Sequence, residues 1–245
     1  MTPLLDTHCH IDAYTDPRHI LDDARQASVD VIAVTESPDG YRRLNTRLGK
    51  STTATVALGL HPASRAAAAP GQLERFLRML PSAAWLGEVG LDFQAGTDRR
   101  EKARQLRVFD AILEHPLARA LPMTVHSRGA AKEVIERVSQ AGNRAILHWY
   151  SGPLRNIDEA LAGGLSFSIN PAMLNSAKGA ALLDALPPNR VLLETDGPYC
   201  LIQRRPCVPT DITAIARALA RRWSLTEDQT RHQLQSNAAA LRLRA

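Results

Sequence analysis

The stretch Pro3-Leu4-Leu5-Asp6-Thr7-His8-Cys9-His10-Ile11-Asp12 decides how the rest of the chain is read. Its apolar start suits a strand, on which His8 and His10, two residues apart, point to one face while Cys9 points to the other. Two imidazoles at one strand end can hold a cation only if further ligands arrive from elsewhere in the chain. An isolated His-X-His is as often a pair of solvated residues. Here, however, later apolar runs each end in a metal-competent side chain: Trp85-Leu86-Gly87-Glu88, Met123-Thr124-Val125-His126, Ala145-Ile146-Leu147-His148 and Val191-Leu192-Leu193-Glu194-Thr195-Asp196.

At 245 residues and 44% apolar content, the chain can bury one sizeable core, and one α/β barrel is the expected domain, spanning 1–245. No basic leader followed by an apolar segment is visible, and no apolar run approaches the ~18 residues of a membrane helix. These features lead to the expectation of a cytoplasmic protein with no membrane role, monomeric by default. Three cysteines, Cys9, Cys200 and Cys207, form no Cys-X-X-Cys pair, so free thiols are expected. The net charge of +5 comes almost wholly from arginine, since Lys50, Lys102, Lys132 and Lys178 are the only lysines. Such a surface suits a phosphate-bearing partner, and it equally reflects a general preference for Arg over Lys.

Along the chain, helical spacing and β-branched runs alternate. After the first strand, the pattern predicts a helix at 17–28, a strand at 29–35, a turn at 37–40, a polar helix at 41–49 and a strand at 53–60. A helix at 73–80 and a strand at 84–89 follow, then a loop at 94–100 and a long helix at 101–119. His115 is expected to be a cap or surface group. Strands at 122–125, 144–147, 165–169 and 190–194 alternate with helices at 130–140, 154–162 and 177–185. Two helices at 210–223 and 226–236 close the pattern, packed through Trp223, Leu225 and Leu234, with His232 on the surface. Eight strands alternating with helices predict a distorted (β/α)8 TIM barrel, in which the C-terminal strand ends share one rim.

The motifs Asp6-Thr-His8-Cys-His10, Gly59-Leu-His61-Pro62, Gly87-Glu88-Val-Gly90-Leu-Asp92, Val125-His126-Ser-Arg128, His148-Trp-Tyr-Ser-Gly152, Phe167-Ser-Ile and Leu193-Glu194-Thr-Asp196-Gly-Pro198-Tyr199 resemble the TatD-like metal-dependent deoxyribonucleases of the amidohydrolase superfamily. They run in the family's order from residue 6 to about residue 200. The resemblance implies two divalent cations, Mg²⁺, Mn²⁺ or Zn²⁺, at the barrel mouth. His8, His10 and Asp196 would hold the first, Glu88 would bridge both, and His126 and His148 would hold the second. Relatives that bridge their cations with a carboxylated lysine need a lysine at a strand end, and none of the four lysines stands at one.

The implied chemistry is hydrolysis of DNA phosphodiesters, at a 3′ end or on single strands, by a water that two cations activate. Asp196 would accept the proton, and His61 would contact phosphate or support a ligand. Arg128 would bind phosphate or pair with a carboxylate, and Tyr199 would stack on a base or line the pocket. Glu194 reads as a buried, paired carboxylate, and Asp92 and Ser151 as loop braces. The chain departs from the family in a short 200–209 loop with only Arg204 and Arg205, in Phe93-Gln94 after Asp92, and in a loosened Asn237-Ala-Ala-Ala-Leu-Arg-Leu pattern. This variant pattern resembles the subgroup accompanying anti-phage defence operons. Two other readings stand: an amidohydrolase or esterase acting on a small molecule or an aminoacyl-tRNA, and a subunit of a defence complex acting through protein partners.

Overall fold

The computed structural model describes residues 2–50 and 53–243. Its elements, in order, are β1 (Leu4–Cys9), α1 (Pro17–Gln26), β2 (Val29–Ala33), α2 (Pro38–Leu48), β3 (Ala54–Val56), α3 (Gln72–Met79), β4 (Leu86–Gly90), α4 (Arg99–Glu114) and α5 (Pro116–Ala120). Then come β5 (Met123–His126), α6 (Ala131–Ala141), β6 (Ala145–Leu147), α7 (Ile157–Ala162), β7 (Ser166–Ile169), α8 (Pro171–Leu174), α9 (Ala177–Ala185) and β8 (Val191–Leu193). A hairpin of β9 (Leu201–Ile202) and β10 (Arg205–Pro206) precedes α10 (Ile212–Trp223) and α11 (Glu227–Leu243).

The first eight strands form one parallel sheet in the order β3-β2-β1-β8-β7-β6-β5-β4. Its two outer strands meet, because Leu58 bridges Leu86 just beyond β3, with Leu58 N–H donating to the Trp85 carbonyl and Gly87 N–H to the Leu58 carbonyl, both at 2.9 Å. The expected distorted TIM barrel is therefore present. No helix among the described residues is long and apolar enough to cross a membrane.

Alternation divides the strands into two cores. Outward residues such as Val31, Met123, Val125, Phe167, Val191 and Leu193 pack under the helices, while Ile32, Val34, Ala57, Trp85, Ile146 and Leu192 fill the barrel. Ala238 and Leu241 of α11 close the bottom of that inner core. On β1, Leu4 and Cys9 both face outward although they stand five positions apart, a parity that a regular strand forbids. The ladder shifts register between Asp6 and Cys9, as a bulge would require. On β4, Leu86 and Val89 share the outer layer, and the register shifts between them in the same way. Both irregularities turn the later residues, His8, His10 and Glu88, into the mouth.

Several local expectations need correction. Ser37-Pro-Asp-Gly is the start of α2 rather than a turn: Ser37 Oγ accepts from Gly40 N–H at 3.2 Å and Pro38 holds the first helical position. The helix expected at 101–119 is two helices, broken because Pro116 disfavours helical backbone at His115. His115 Nδ1 accepts from Leu117 N–H, so its expected role as a cap stands. The last helix runs past residue 236 to Leu243, pinned by Asn237 Nδ2 donating to the Pro188 and Val191 carbonyls at 2.8 and 2.7 Å. Leu225 is exposed rather than packed, whereas Leu234 is buried.

Candidate functional site

The C-terminal strand ends open into a cavity of about 580 Å³ whose lining includes His10, His61, Glu88, His126, His148 and Asp196. Residues from both ends of the chain reach it because β1 and β8 are neighbours: Asp196 N–H donates to the His8 carbonyl at 2.9 Å. Behind them, Asp6 is fully buried and accepts from His8 N–H, Thr195 N–H and Thr195 Oγ1, which fixes the strand end that carries the imidazoles. Asp196 itself sits at φ 48°, a left-handed conformation that aspartate tolerates better than most residues.

Four donor atoms form a cage. His8 Nε2 and His10 Nε2 are 3.3 Å apart. Glu88 Oε2 is 3.6 Å from each of them, and Asp196 Oδ1 is 3.5 Å from His8 and 3.4 Å from His10. Two imidazoles and two carboxylates, all buried and 3.3 to 3.6 Å apart in these five contacts, are a donor set that fits one divalent ion.

A second group gathers on the other Glu88 oxygen. Oε1 lies 2.6 Å from His126 Nδ1, 3.6 Å from His148 Nε2 and 3.5 Å from His61 Nε2. The other nitrogens of the first two rings also meet carboxylates: His126 Nε2 is 2.9 Å from Asp92 Oδ2, and His148 Nδ1 is 2.9 Å from Glu194 Oε2. Such partners orient an imidazole for a cation. Asp92 thus does more than the expected bracing, although it also accepts from Gln94 N–H and Nε2. Glu194 is the buried, paired carboxylate expected. It accepts from Trp149 N–H and Asn170 Nδ2 on Oε1 and from Ser168 Oγ on Oε2. Ser168 and Asn170 were not singled out in the sequence; their signal is two polar residues at spacing two on an apolar strand.

His61 differs from the others. Its Nδ1 accepts from Ala63 N–H at 3.1 Å, so the neutral ring carries its hydrogen on Nε2, the atom facing Glu88. It presents a donor to the cavity, although His61, Glu88 and His126 also lie close enough to form a third donor group beside His8-His10-Glu88 and His8-His148-Glu194.

Electrostatics follow the packing. Burial opposes the charge on His148, but Glu194, Asp196 and Glu88 override it and push its pKa up to about 10. Burial likewise opposes the charge on His126, which Glu88 and Asp92 raise to about 9. Burial and the charge of His148, stacked 3.7 Å away, hold His8 down instead. Burial works against the charge on Glu88 and Asp196, yet the surrounding imidazoles keep both carboxyls below their ordinary values.

At the rim, Arg128 and Ser151 line the cavity, and Arg128 has no ion pair among the described residues. Tyr199 is 58% exposed and meets His10 edge-on, with ring centroids 4.8 Å apart. Across the cavity Trp149, which sequence reasoning quoted only within a motif, stands edge-on to His148.

The family model for TatD related DNase matches residues 5–242. A putative deoxyribonuclease TATDN3 of Mus musculus is 30% identical over 97% of this chain and 87% of its own length. A 3′-5′ ssDNA/RNA exonuclease TatD of Pectobacterium carotovorum is 35% identical over 47% of this chain and 46% of its own length. Among solved structures, the TatD homologue YJJV of Escherichia coli shares the fold at a TM-score of 0.86, with 24% identity and 97% of each chain covered. The match over nearly the whole chain places it plainly: this protein belongs to the TatD related DNase family.

Proposed function

We propose that this protein is a metal-dependent deoxyribonuclease that hydrolyses phosphodiesters of single-stranded DNA, working from the 3′ end. The observation that carries the reading is the His8-His10-Glu88-Asp196 cage, in which both imidazoles stand 3.3 to 3.6 Å from each other and from the two carboxylates, spacings that suit one divalent ion. His8, His10 and Asp196 would hold one cation, His126 and His148 a second, and Glu88 offers one oxygen to each group. Bound Mg²⁺, Mn²⁺ or Zn²⁺ would acidify a water and neutralise charge on the scissile phosphate.

The chain's own groups do the rest. Asp196 meets both imidazoles through Oδ1, so Oδ2 is the oxygen that takes a proton from the attacking water. His61 Nε2–H donates to a phosphate oxygen or the departing sugar oxygen. Arg128 binds a flanking phosphate, and exposed Tyr199 stacks on a base, which favours a strand whose bases are free. The 3′-5′ polarity and the single-strand preference draw on the bacterial relatives named for them. A place in anti-phage defence, with protein partners, rests on the subgroup resemblance alone.

The test is Mg²⁺- or Mn²⁺-dependent degradation of end-labelled single-stranded DNA beside Glu88→Ala and Asp196→Asn. Cleavage by the native protein alone supports the reading, and the ladder gives polarity. Two bound ions with no cleavage would turn the assignment towards an amidohydrolase or esterase substrate.

A further inference from the structure

All three cysteines meet behind the turn that carries Asp196. Cys9 Sγ lies 3.5 Å from the Gly197 carbonyl, and the Tyr14 hydroxyl contacts Cys9 Sγ and donates to the Cys207 carbonyl. In the β9-β10 hairpin, Ile202 opposes Arg205 and Leu201 opposes Pro206. One further step sets Cys200 opposite Cys207, and Cys207 N–H donates to the Cys200 carbonyl at 2.9 Å. Hydrogen-bonded partners of this kind have Cα atoms about 5.5 Å apart, within the span a disulfide bridges. Both sulfurs are free and buried, and the Cys200 thiol makes only a long contact to the Leu201 carbonyl, at 3.9 Å.

We infer that Cys200 and Cys207 are a reversible disulfide site, closed by a hydroperoxide, and that closing it lowers activity by displacing Asp196 and Tyr199. In the first step the Cys200 sulfur attacks hydrogen peroxide; an S–O bond forms, the O–O bond breaks, and one water leaves with the thiol proton. Next the Cys207 sulfur attacks Cys200; the S–S bond forms, the S–O bond breaks, and a second water leaves with the second thiol proton. Two thiols lose two electrons, and the peroxide gains them.

Both thiols are buried, so access depends on the hairpin that covers them. Its strands have two residues each, and its turn holds Gln203 and Arg204 at φ 49° and 67°, a region that non-glycine residues disfavour. So short a two-stranded ribbon opens readily. The coupling to the site is direct. Tyr199 N–H and Cys200 N–H both donate to the Asp196 carbonyl, at 2.9 and 3.0 Å. Gly197 is seated so tightly on Cys207 that a Cβ there would lie 2.5 Å from its carbonyl oxygen. Movement of Cys200 or Cys207 as the bond closes is passed to that turn through these contacts.

The bond itself stands independently of the nuclease reading, whereas the loss of activity rests on it. The protein is treated with hydrogen peroxide, alkylated, digested with trypsin without reduction and mapped, with DNA cleavage followed in parallel. Trypsin cuts after Arg204, so the disulfide joins peptide 191–204 to 205–217. Expected are that linked pair, a fall in rate of roughly 10- to 100-fold, as misplacing a catalytic group produces, and recovery with dithiothreitol. Cys200→Ser and Cys207→Ser should each keep the reduced rate and lose the peroxide response, and Cys9→Ser should keep both. No linked pair, a link to Cys9, or equal inactivation of the serine variants overturns the site. A linked pair with an unchanged rate overturns the coupling. Reduced protein that never cleaves DNA refutes the nuclease reading, while the peptide map still decides the bond.

Discussion

Replacing Glu194 with glutamine removes one charge from a carboxylate that touches no cage atom of the first group, and the structure dictates what should follow. Each Glu194 oxygen accepts two donors: Trp149 N–H and Asn170 Nδ2 on Oε1, Ser168 Oγ and His148 on Oε2. Glutamine keeps the first pair on its single oxygen and turns an NH2 toward the second. Ser168 can rotate and accept. His148 can accept only by moving its hydrogen from Nδ1 to Nε2, which removes the lone pair that faces Glu88. If it does not, two donors face each other in a fully buried site, at about 1–3 kcal/mol. Loss of such an orienting partner typically weakens a metal site by about 10- to 100-fold, or about 1.4–2.7 kcal/mol. Calorimetric titration of Mn²⁺ into chelator-stripped protein should therefore show one of two sites weakened by that factor and the other unchanged. Ser168→Ala, which leaves His148 its partner, should do far less. Native affinity at both sites, or equal loss at both, would refute the reasoning.

Three further outcomes follow. Arg128→Ala should raise KM about tenfold with little change in kcat, and flatten the salt dependence of single-strand binding by about 0.7 in log-log slope, as loss of one phosphate contact requires; kinetics and binding at several salt concentrations check it. Tyr199→Ala should weaken binding by about 1–3 kcal/mol while Tyr199→Phe keeps most of it, since stacking needs the ring and not the hydroxyl; fluorescence titration with an oligonucleotide reads this. In metal-free protein, His126 at about 9 and His148 at about 10 stand above the ordinary value of 6.5, so their contribution to stability is full below that value and is lost as pH rises through 9 and 10. Asp6, lifted by burial to about 8, pushes the same way. The melting temperature of stripped protein should thus fall between pH 6.5 and 10, while Mn²⁺ affinity rises as those protons leave; a rising melting temperature would contradict the proton assignment.

The donors were legible because each inner apolar run stops at a side chain that has no business in a core. Ile146-Leu147-His148 and Leu192-Leu193-Glu194 say where the rim is, and the fold brings them together. Less legible were features that depend on partners distant in sequence. Nothing near Asp92 announces His126, and nothing near Glu194 announces Ser168 or Asn170. The hairpin at 201–206 was missed because two-residue strands carry no periodicity at all. By contrast, the start of α2 was misread although the signal was present: Ser37 before Pro38 is a helix cap before it is a turn.

The two register shifts explain why site and core can coexist on the same strands. On β5, β6 and β8 strict alternation suffices, since Val125 faces out and His126 in, Leu147 out and His148 in, Leu193 out and Glu194 in. On β1 and β4 it does not. If β1 alternated strictly from Leu4, then His8 and His10 would share its outward face and lie under the helices. The same holds on β4, where strict alternation from Leu86 would carry Glu88 outward. A slip of one residue exchanges the faces of everything beyond it. The irregularity at Asp6–Cys9 makes that exchange after the apolar anchor Leu4 is buried, and the one at Leu86–Val89 makes it after Leu86. Thus the barrel departs from regularity on the two strands that supply His8, His10 and Glu88, the residues that its alternation would otherwise turn away from the mouth.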